Sequence, residues 1–571
     1  MTAVGAWTVG LALVYTAFLV LGPRAAATRA ARTNTRATAG GTGAPGATTR
    51  PDFFTAGRTF SPLTVALCIT ALFSGSSFIS ILEVSYRTGV SAAWYGVAEI
   101  TQILLIALLL LKPLRERLVV TVSGMIGDRY GRLARGIAGA ITAFTFPMWT
   151  VATAIAFASA LHVVTGLPVW VAVIFTALLL LTYLAAGGMK SVAFAQTANC
   201  AAFAVMLGIG VFAVLLNPGI SGLATAVQER PEILDPGAAG TGLIVAWFGT
   251  FIVNVLLAQA AFQMSLSCRT PEDGRKGLIG AAWLAIPFAI VGVLVGVAAS
   301  IVAPGNQRGL IGVAEYISTA VPAPVAALFF LGVWACALGW GGPCQFSGAT
   351  SLGRDVGLAI RPDATPEQLV RWTRRALVLL TGLMIGFAFL RTSESAWWNV
   401  LAWTLRNGAT LAPVVGLLFW PLATRRAAIS AMGAGFLTGL AWYHLGGWQP
   451  ATFHLGIHPV WVAMSAGLVA LVAVTLAETL GQSVLTPSPR RRRRALSLLL
   501  TGAAGGVATA LTWSVLHPLG LTGLVGFTSL ALFVAGTVIL IRPVTEVDPA
   551  GSGEADRARE SSSGRESVLT G

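Results

Sequence analysis

Charged residues are scarce. Only 10% of the 571 residues are Asp, Glu, Lys or Arg, against 55% hydrophobic, and the mean hydropathy is +0.78. That leaves too little polar surface to cover several soluble domains. Cysteine is scarce too: five residues, of which Cys68, Cys200, Cys336 and Cys344 lie in apolar stretches without disulfide or metal-ligand spacing. They read as small packing residues. There is no glycine-rich phosphate loop with a Lys, no kinase-like segment and no soluble stretch above about 40 residues, so ATP hydrolysis and signalling chemistry have no place to sit. No membrane-embedded His or Glu constellation supports an enzyme, and the alternation of a β-barrel is absent.

What the chain has in abundance is apolar runs. About fifteen stretches of roughly 18 or more residues can each cross about 30 Å of hydrocarbon as a helix. They lie near residues 5–22, 61–85, 91–111, 136–162, 168–187, 192–216, 241–264, 277–303, 324–352, 373–390, 396–422, 428–446, 458–480, 495–516 and 519–541. Lipid offers no hydrogen-bond partners, so the expected fold is an all-α polytopic membrane protein of about 15 transmembrane helices. The first run lacks a preceding Lys or Arg and has Arg24 after it, which reads as a retained outward-starting helix rather than a signal peptide.

The formal net charge of +15 is distributed by side rather than spread over a patch. Arg24, Arg29, Arg32, Arg36, Arg50 and Arg58 follow the first run, Lys112, Arg115, Arg117, Arg129, Arg132 and Arg135 the third, and Arg490 to Arg494 the thirteenth. The alternate loops hold little beyond Arg87, Arg230, Arg308 and Arg391. The positive-inside rule then puts the N-terminus outside and the C-terminus in the cytoplasm, and no nucleic-acid partner is needed. Solute and lipid bilayer are the expected partners, with the chain a monomer or weak homo-oligomer in the cell membrane.

Residues 23–58, rich in Arg, Thr, Ala and Gly, read as a basic cytoplasmic linker after the helix of 1–22; 543–571 reads as a disordered tail. Between them the expected units are a core over 59–422, two further helices over 423–482, and a basic loop with an added hairpin over 483–542. Two groups of five runs flank the Pro-rich loop 217–240. Five is odd, so the second group runs opposite to the first, an inverted repeat.

In the second run, Thr70-Ala-Leu-Phe-Ser-Gly-Ser-Ser-Phe78 sets small hydroxylic residues and Gly75 among large apolar ones. Either the helix unwinds here to free backbone groups for ions and polar solutes, or it packs tightly on small residues. Gly339-Trp-Gly-Gly-Pro343 is expected to break the ninth run.

Several ordered motifs, Asp52-Phe-Phe-Thr-Ala-Gly-Arg58, Tyr86-Arg-Thr-Gly89 with Ala93-Trp-Tyr95, Gly127-Asp-Arg-Tyr-Gly131, Thr182-Tyr-Leu-Ala-Ala-Gly-Gly188 and Gly416-Leu-Leu-Phe-Trp-Pro421, make residues 52–478 resemble the sodium/solute symporter family, with its sodium/proline and sodium/galactose members. The resemblance implies a leucine-transporter-like 5+5 inverted repeat, thirteen spans with an outside N-terminus, and two spans added after Arg494. It implies a sodium site formed by the Thr70 and Phe73 carbonyls on the second span and positions Cys336, Gly339 and Trp340 on the ninth. Family members carry a hydroxyl pair where this chain has Gly339 and Trp340, and Leu72 stands where the proline transporters have an Asp. Few hard oxygen ligands are left for sodium.

Intramembrane polar groups point to the path, because a charge in hydrocarbon normally faces a cavity or a partner. Arg406, with Asn407, is the boldest case; it binds an anionic solute group, supplies a fixed charge, pairs with Glu83 or Glu99, or sits at a wet span boundary. Glu99 with Gln102, and Gln259 with Gln263, share helix faces as path linings or helix ties. His162 reads as an interfacial anchor rather than a proton sensor. Most of the 17 Trp suit interfacial belts, but Trp340 falls beside the implied ion site. The solute-path candidates are therefore Ser74, Ser76, Ser77, Trp94, Gln259, Trp340 and Arg406, suited to a small polar or carboxylated organic molecule. The expected function is a secondary active transporter without cofactor, coupled to Na+ or H+. The alternative is a non-transporting membrane sensor or assembly partner that keeps the fold.

Overall fold

A computed structural model of the chain describes residues 2–38, 53–305, 309–391, 395–449, 453–479 and 487–541. The described chain is helical throughout: α1 (Ala3–Thr38), α2 (Pro62–Thr88), α3 (Ala93–Leu105), α4 (Leu111–Glu116), α5 (Val122–Tyr130), α6 (Arg132–Thr165), α7 (Val169–Gly187) and α8 (Met189–Leu216) form the first part. After α9 (Gly219–Glu229) come α10 (Thr241–Asn254), α11 (Gln259–Ser265), α12 (Pro271–Val302), α13 (Gly309–Ala320), α14 (Ala323–Thr350), α15 (Gly357–Ile360), α16 (Pro366–Leu390) and α17 (Ser395–Phe419). The chain ends with α18 (Arg425–Leu445), α19 (Pro459–Thr479), α20 (Pro489–Leu511), α21 (Trp513–Leu516) and α22 (Thr522–Leu540).

Helix starts follow local chemistry. Ser61, Thr270, Thr365 and Thr424 each accept a backbone N–H with the side chain at the N-cap, and Pro62, Pro271 and Pro366 stand next to three of these caps. Between α2 and α3 the chain turns at Gly89, with φ +59°, where a side chain would be strained. α3 then folds back along α2, so that Glu99 on α3 meets Ser74 and Ser77 on α2.

Among the described residues, eleven helical segments are long and apolar enough to cross a membrane, twelve if the bent pair α10–α11 counts as one span; Pro62–Glu116, holding both α2 and α3, is one of them. The chain is a multi-pass membrane protein. Helices do occupy all fifteen expected positions, but α17, which carries Arg406 and Asn407, and α18 are outside the eleven. Fifteen crossings and the inverted repeat stay expectations.

Of the two alternatives for Thr70–Phe78 the structure has the packed helix, and the expected break at Gly339–Pro343 is corrected. The helix does not unwind at Thr70–Phe78: α2 is continuous, its small residues packing against α14 and α8, where a Cβ on Gly75 would stand 2.8 Å from Phe203. Nor does Gly339–Pro343 break α14, which runs through Pro343. The break lies instead between α10 and α11, a bend of 53°. In addition, α1 continues to Thr38, into the stretch read as a linker. Residues 39–52, Arg308 and the tail 543–571 lie outside the described residues.

The bundle is organised around α2, which packs on α12, α14 and α8, while α14 also lies against α6 and α8. α17, α18 and α19 cross closely: a Cβ on Gly435 of α18 would stand 1.9 Å from the Gly408 carbonyl oxygen of α17. Small residues at such a crossing replace the hydrophobic drive that lipid does not provide. Gly435→Val is therefore expected to lower the thermal midpoint in detergent and the yield of monodisperse protein, at a cost of about 1–3 kcal/mol from overpacking. An unchanged midpoint would contradict this packing. α20 and α22 pack on each other as a hairpin and lean on α19; the Trp420 indole donates to the Ile541 carbonyl at 3.1 Å.

Candidate functional site

The polar groups of the interior fall on two levels separated by a layer of aromatic rings. On one side is a cavity of about 290 Å³ walled by α2, α3, α6 and α17, with Ser76, Ser77, Ser80, Glu83, Tyr95 and Asn399 among its lining. It reaches the surface at Glu83, whose side chain is 39% exposed and pairs with Arg87 at 3.9 Å. Its floor is aromatic: Phe73 and Trp340 lie 6.3 Å apart, Trp149 and Trp340 6.1 Å, and Trp149 and Trp403 5.2 Å between ring centroids.

Beneath the floor is a second cavity of about 20 Å³, shared by Asn254, Gln259, Cys344 and Arg406 with the undersides of Phe73 and Trp340. That is room for about one water molecule. Arg406 is 1% exposed. One of its terminal nitrogens, Nη2, donates to the Leu257 carbonyl at the α10–α11 break, which also accepts the Gln259 N–H at 2.7 Å, and Nη1 reaches Asn407 Oδ1 at 3.5 Å. The guanidinium lies 5.1 Å from the Phe146 ring centre and 5.5 Å from that of Trp149. Its Nε has no partner. Neither Glu83 nor Glu99 pairs with it: Glu83 holds Arg87, and Glu99 accepts from Ser74 and Ser77. Among the described residues the buried guanidinium has no carboxylate counter-ion.

On the far side of this cavity the bundle is sealed. Gln259 Oε1 accepts the Val122 N–H at 3.0 Å, and its Nε2 donates to the Ser347 carbonyl at 3.3 Å and Ser351 Oγ at 2.9 Å. Thr121 and Ser123 hydroxyls both donate to Asp355 Oδ2 at 2.6 Å, while Arg354 donates to Oδ1 at 2.7 Å. Gln259 therefore ties α5 to α14 as well as lining the cavity. Gln263 accepts from Ser347 Oγ.

The implied ion-site positions on α2 and α14 do come together, in direct helix contact. A Cβ on Gly339 would stand 2.4 Å from the Ala71 carbonyl oxygen. Gln196 of α8 donates from Nε2 to the carbonyls of Gly339 at 2.8 Å and Cys68 at 3.4 Å, held in turn by Asn199, which donates to Gln196 Oε1 at 3.0 Å, and Tyr15, which donates to Asn199 Oδ1 at 2.7 Å. Cys336 is fully buried, Thr70 Oγ1 is buried without a partner, and the Phe73 carbonyl accepts from Ser76 at 3.1 Å.

Of the other candidates, Ser76 and Ser77 line the large cavity and Trp340 divides the two, whereas Ser74 faces Glu99. Trp94 lies apart from both cavities: it is 38% exposed and its indole donates to the Pro236 carbonyl at 3.0 Å. His162 binds the Leu167 carbonyl at 2.8 Å, an anchor as expected.

The motifs that carried the resemblance also meet in space. Arg129 donates to the Pro421 carbonyl, Tyr130 to the Pro413 carbonyl at 3.3 Å, and the Phe53 carbonyl accepts the Met189 N–H at 3.0 Å. Residues 53–243 match the sodium:solute symporter family. Among curated relatives, the human sodium/iodide cotransporter is 29% identical over 247 residues, 40% of this chain and 37% of that protein. The chain thus spans little over a third of that relative's length. The Escherichia coli (strain K12) sodium/pantothenate symporter is 23% identical over 453 residues, covering 76% of this chain and 91% of the relative. The solved structure of a Na+-coupled sialic acid symporter, substrate-bound and outward-open, superposes with a TM-score of 0.63 at 16% identity, covering 76% of this chain and 92% of that one. The shared fold is that of a transporter, and the chain's relatives are symporters rather than enzymes.

Proposed function

We propose that this symporter relative is a secondary active transporter that carries a small polar or carboxylated organic solute across the cell membrane by alternating access. The observation that carries this reading is the stack of open cavity, aromatic floor and uncompensated guanidinium. A buried charge without a counter-ion is costly, and an anionic group arriving at Arg406 removes that cost. The basic residues Lys112, Arg115, Arg129, Arg354 and Arg361 gather at the Asp355 end of the bundle, which supports a cytoplasmic position for that end. The 290 Å³ cavity is then the extracellular vestibule, and Asp355 with Gln259 forms the inner seal. Rocking of one five-helix repeat against the other would open that seal.

The names of two relatives speak for sodium coupling, while the site itself speaks for its loss. Gly339 and Trp340 bring no hydroxyl oxygen, α2 and α14 touch at Ala71 and Gly339, and the Gln196 amide occupies the carbonyls of Gly339 and Cys68. The implied sodium position is degraded. Uptake of a mixed panel of radiolabelled carboxylates, amino acids and sugars into proteoliposomes is expected to be indifferent to replacing sodium by a bulky organic cation. Accumulation that requires sodium would show that another oxygen set holds the ion.

A further inference from the structure

Glu99 takes no part in the solute site above. It lies on α3, 1% exposed, with Ser74 Oγ donating to Oε1 at 3.0 Å and Ser77 Oγ to Oε2. Both donors are neutral, and no Lys, Arg or His stands within ion-pair distance among the described residues. Nothing charged faces it from the helices packed around it. α10 has no charged residue, and those of α12, Glu272, Asp273, Arg275 and Lys276, are confined to its first two turns. On α2 the next ionisable group is Glu83, already paired with Arg87; on α3 it is Tyr95, one turn away.

Two hydroxyls give a carboxylate partial hydrogen bonding and no countercharge, so an ionised Glu99 sealed from water is costly and a bound proton removes that cost. The hydroxyls suit both states, since each can donate to a carboxylate oxygen or turn to accept a carboxyl O–H. Access is present on one side. Ser77 bonds the carboxylate and also lines the 290 Å³ cavity, so solvent in that cavity is one side chain away from Glu99, whereas the aromatic floor stands between it and Arg406.

We infer that Glu99 is a proton-binding site whose loading is coupled to solute movement. A proton from cavity water adds to a carboxylate oxygen of Glu99, forming an O–H and cancelling one negative charge. Arg406, across the floor, takes the anionic group of the solute. One proton and one monoanion then cross together, and neither the carboxylate nor the guanidinium is left unbalanced in the sealed state. The inference rests on the transporter reading above and adds to it the coupling ion and its residue.

The test uses the full chain in proteoliposomes with the same solute panel, measuring counterflow across a range of pH and accumulation driven by an acid-outside gradient. Wild-type protein is expected to accumulate solute on the pH gradient. Glu99→Gln is expected to lose that accumulation by about tenfold, within the usual range for coupling between two sites, with a flattened pH profile of counterflow. Glu99→Asp, which restores a carboxyl one methylene shorter, is expected to regain a pH response with a displaced profile. This variant carries the test if Glu99→Gln does not purify as a folded species. A Gln variant with wild-type accumulation, or an Asp variant with an unshifted profile, would show that Glu99 only ties α3 to α2. Counterflow by the wild type without any pH-driven accumulation overturns the proton coupling and leaves the transporter reading standing. No counterflow of any solute overturns both.

Discussion

Arg406→Gln is expected to reduce uptake of an anionic solute by about 30-fold or more at sub-saturating concentration, corresponding to ~2 kcal/mol of lost charge-assisted bonding. The guanidinium is held from two sides by rings and from a third by the Leu257 carbonyl, while Nε remains unpartnered and Cys344 and Gln259 share its cavity. A cation so placed is already oriented, so a ligand bears little of the cost of ordering it. Arg406→Lys keeps the charge but loses the planar fork, and is expected to recover only part of the uptake. Uptake of neutral analogues should change far less in both variants. The opposing outcome is equally readable: wild-type uptake by Arg406→Gln, with a lowered thermal midpoint, would mean that Arg406 only steadies the α10–α11 break through the Leu257 carbonyl.

Trp340→Ala should join the two cavities. In the structure the indole stands against Phe73 on one side and Trp149 on the other, and with Trp403 these rings part the 290 Å³ cavity from the 20 Å³ one. Cys344 lines only the lower cavity and is 1% exposed. With the indole removed, a membrane-impermeant thiol reagent is expected to modify Cys344 at least about tenfold faster, read by mass spectrometry of the intact chain, equivalent to ~1.4 kcal/mol of lost closure. Truncating a buried Trp also costs about 3–5 kcal/mol of packing, so folding is checked by thermal unfolding in detergent. An unchanged labelling rate in a folded variant would show that the floor is closed by other groups.

The apolar runs made the helices readable, because membrane helices satisfy their own backbones and local sequence suffices to place them. The family motifs were readable for a related reason. Gly127–Gly131 and Gly416–Pro421 are fixed by close contacts with each other, such as Tyr130 against Gly416, where a Cβ would stand 2.6 Å from the phenol oxygen. The position of the break was not readable. Small hydroxylic residues in Thr70–Phe78 resemble an unwinding segment, but they serve packing and the Glu99 bonds. The real break, at Val255–Ala258, contains neither Gly nor Pro and is stabilised from afar by Arg406 and by the Gln259 side-chain ties. Gln196 was missed although a signal existed, since Gln196 and Asn199 stand three residues apart in an otherwise apolar run. What no spacing could supply was their partner, the carbonyl of Gly339 on a helix 143 residues away. Trp94 poses the opposite difficulty: an indole suits a path lining and a surface belt equally well, and its place beside Pro236 depends on a loop 142 residues away.

The central claim is tested most directly by solute counterflow with the wild-type chain in proteoliposomes preloaded with unlabelled carboxylates, sugars or organic cations in turn. Exchange of labelled solute confined to the anionic members of the panel is the result predicted by an uncompensated Arg406 beneath the aromatic floor. Exchange of organic cations alone, or no exchange of any solute, would contradict it.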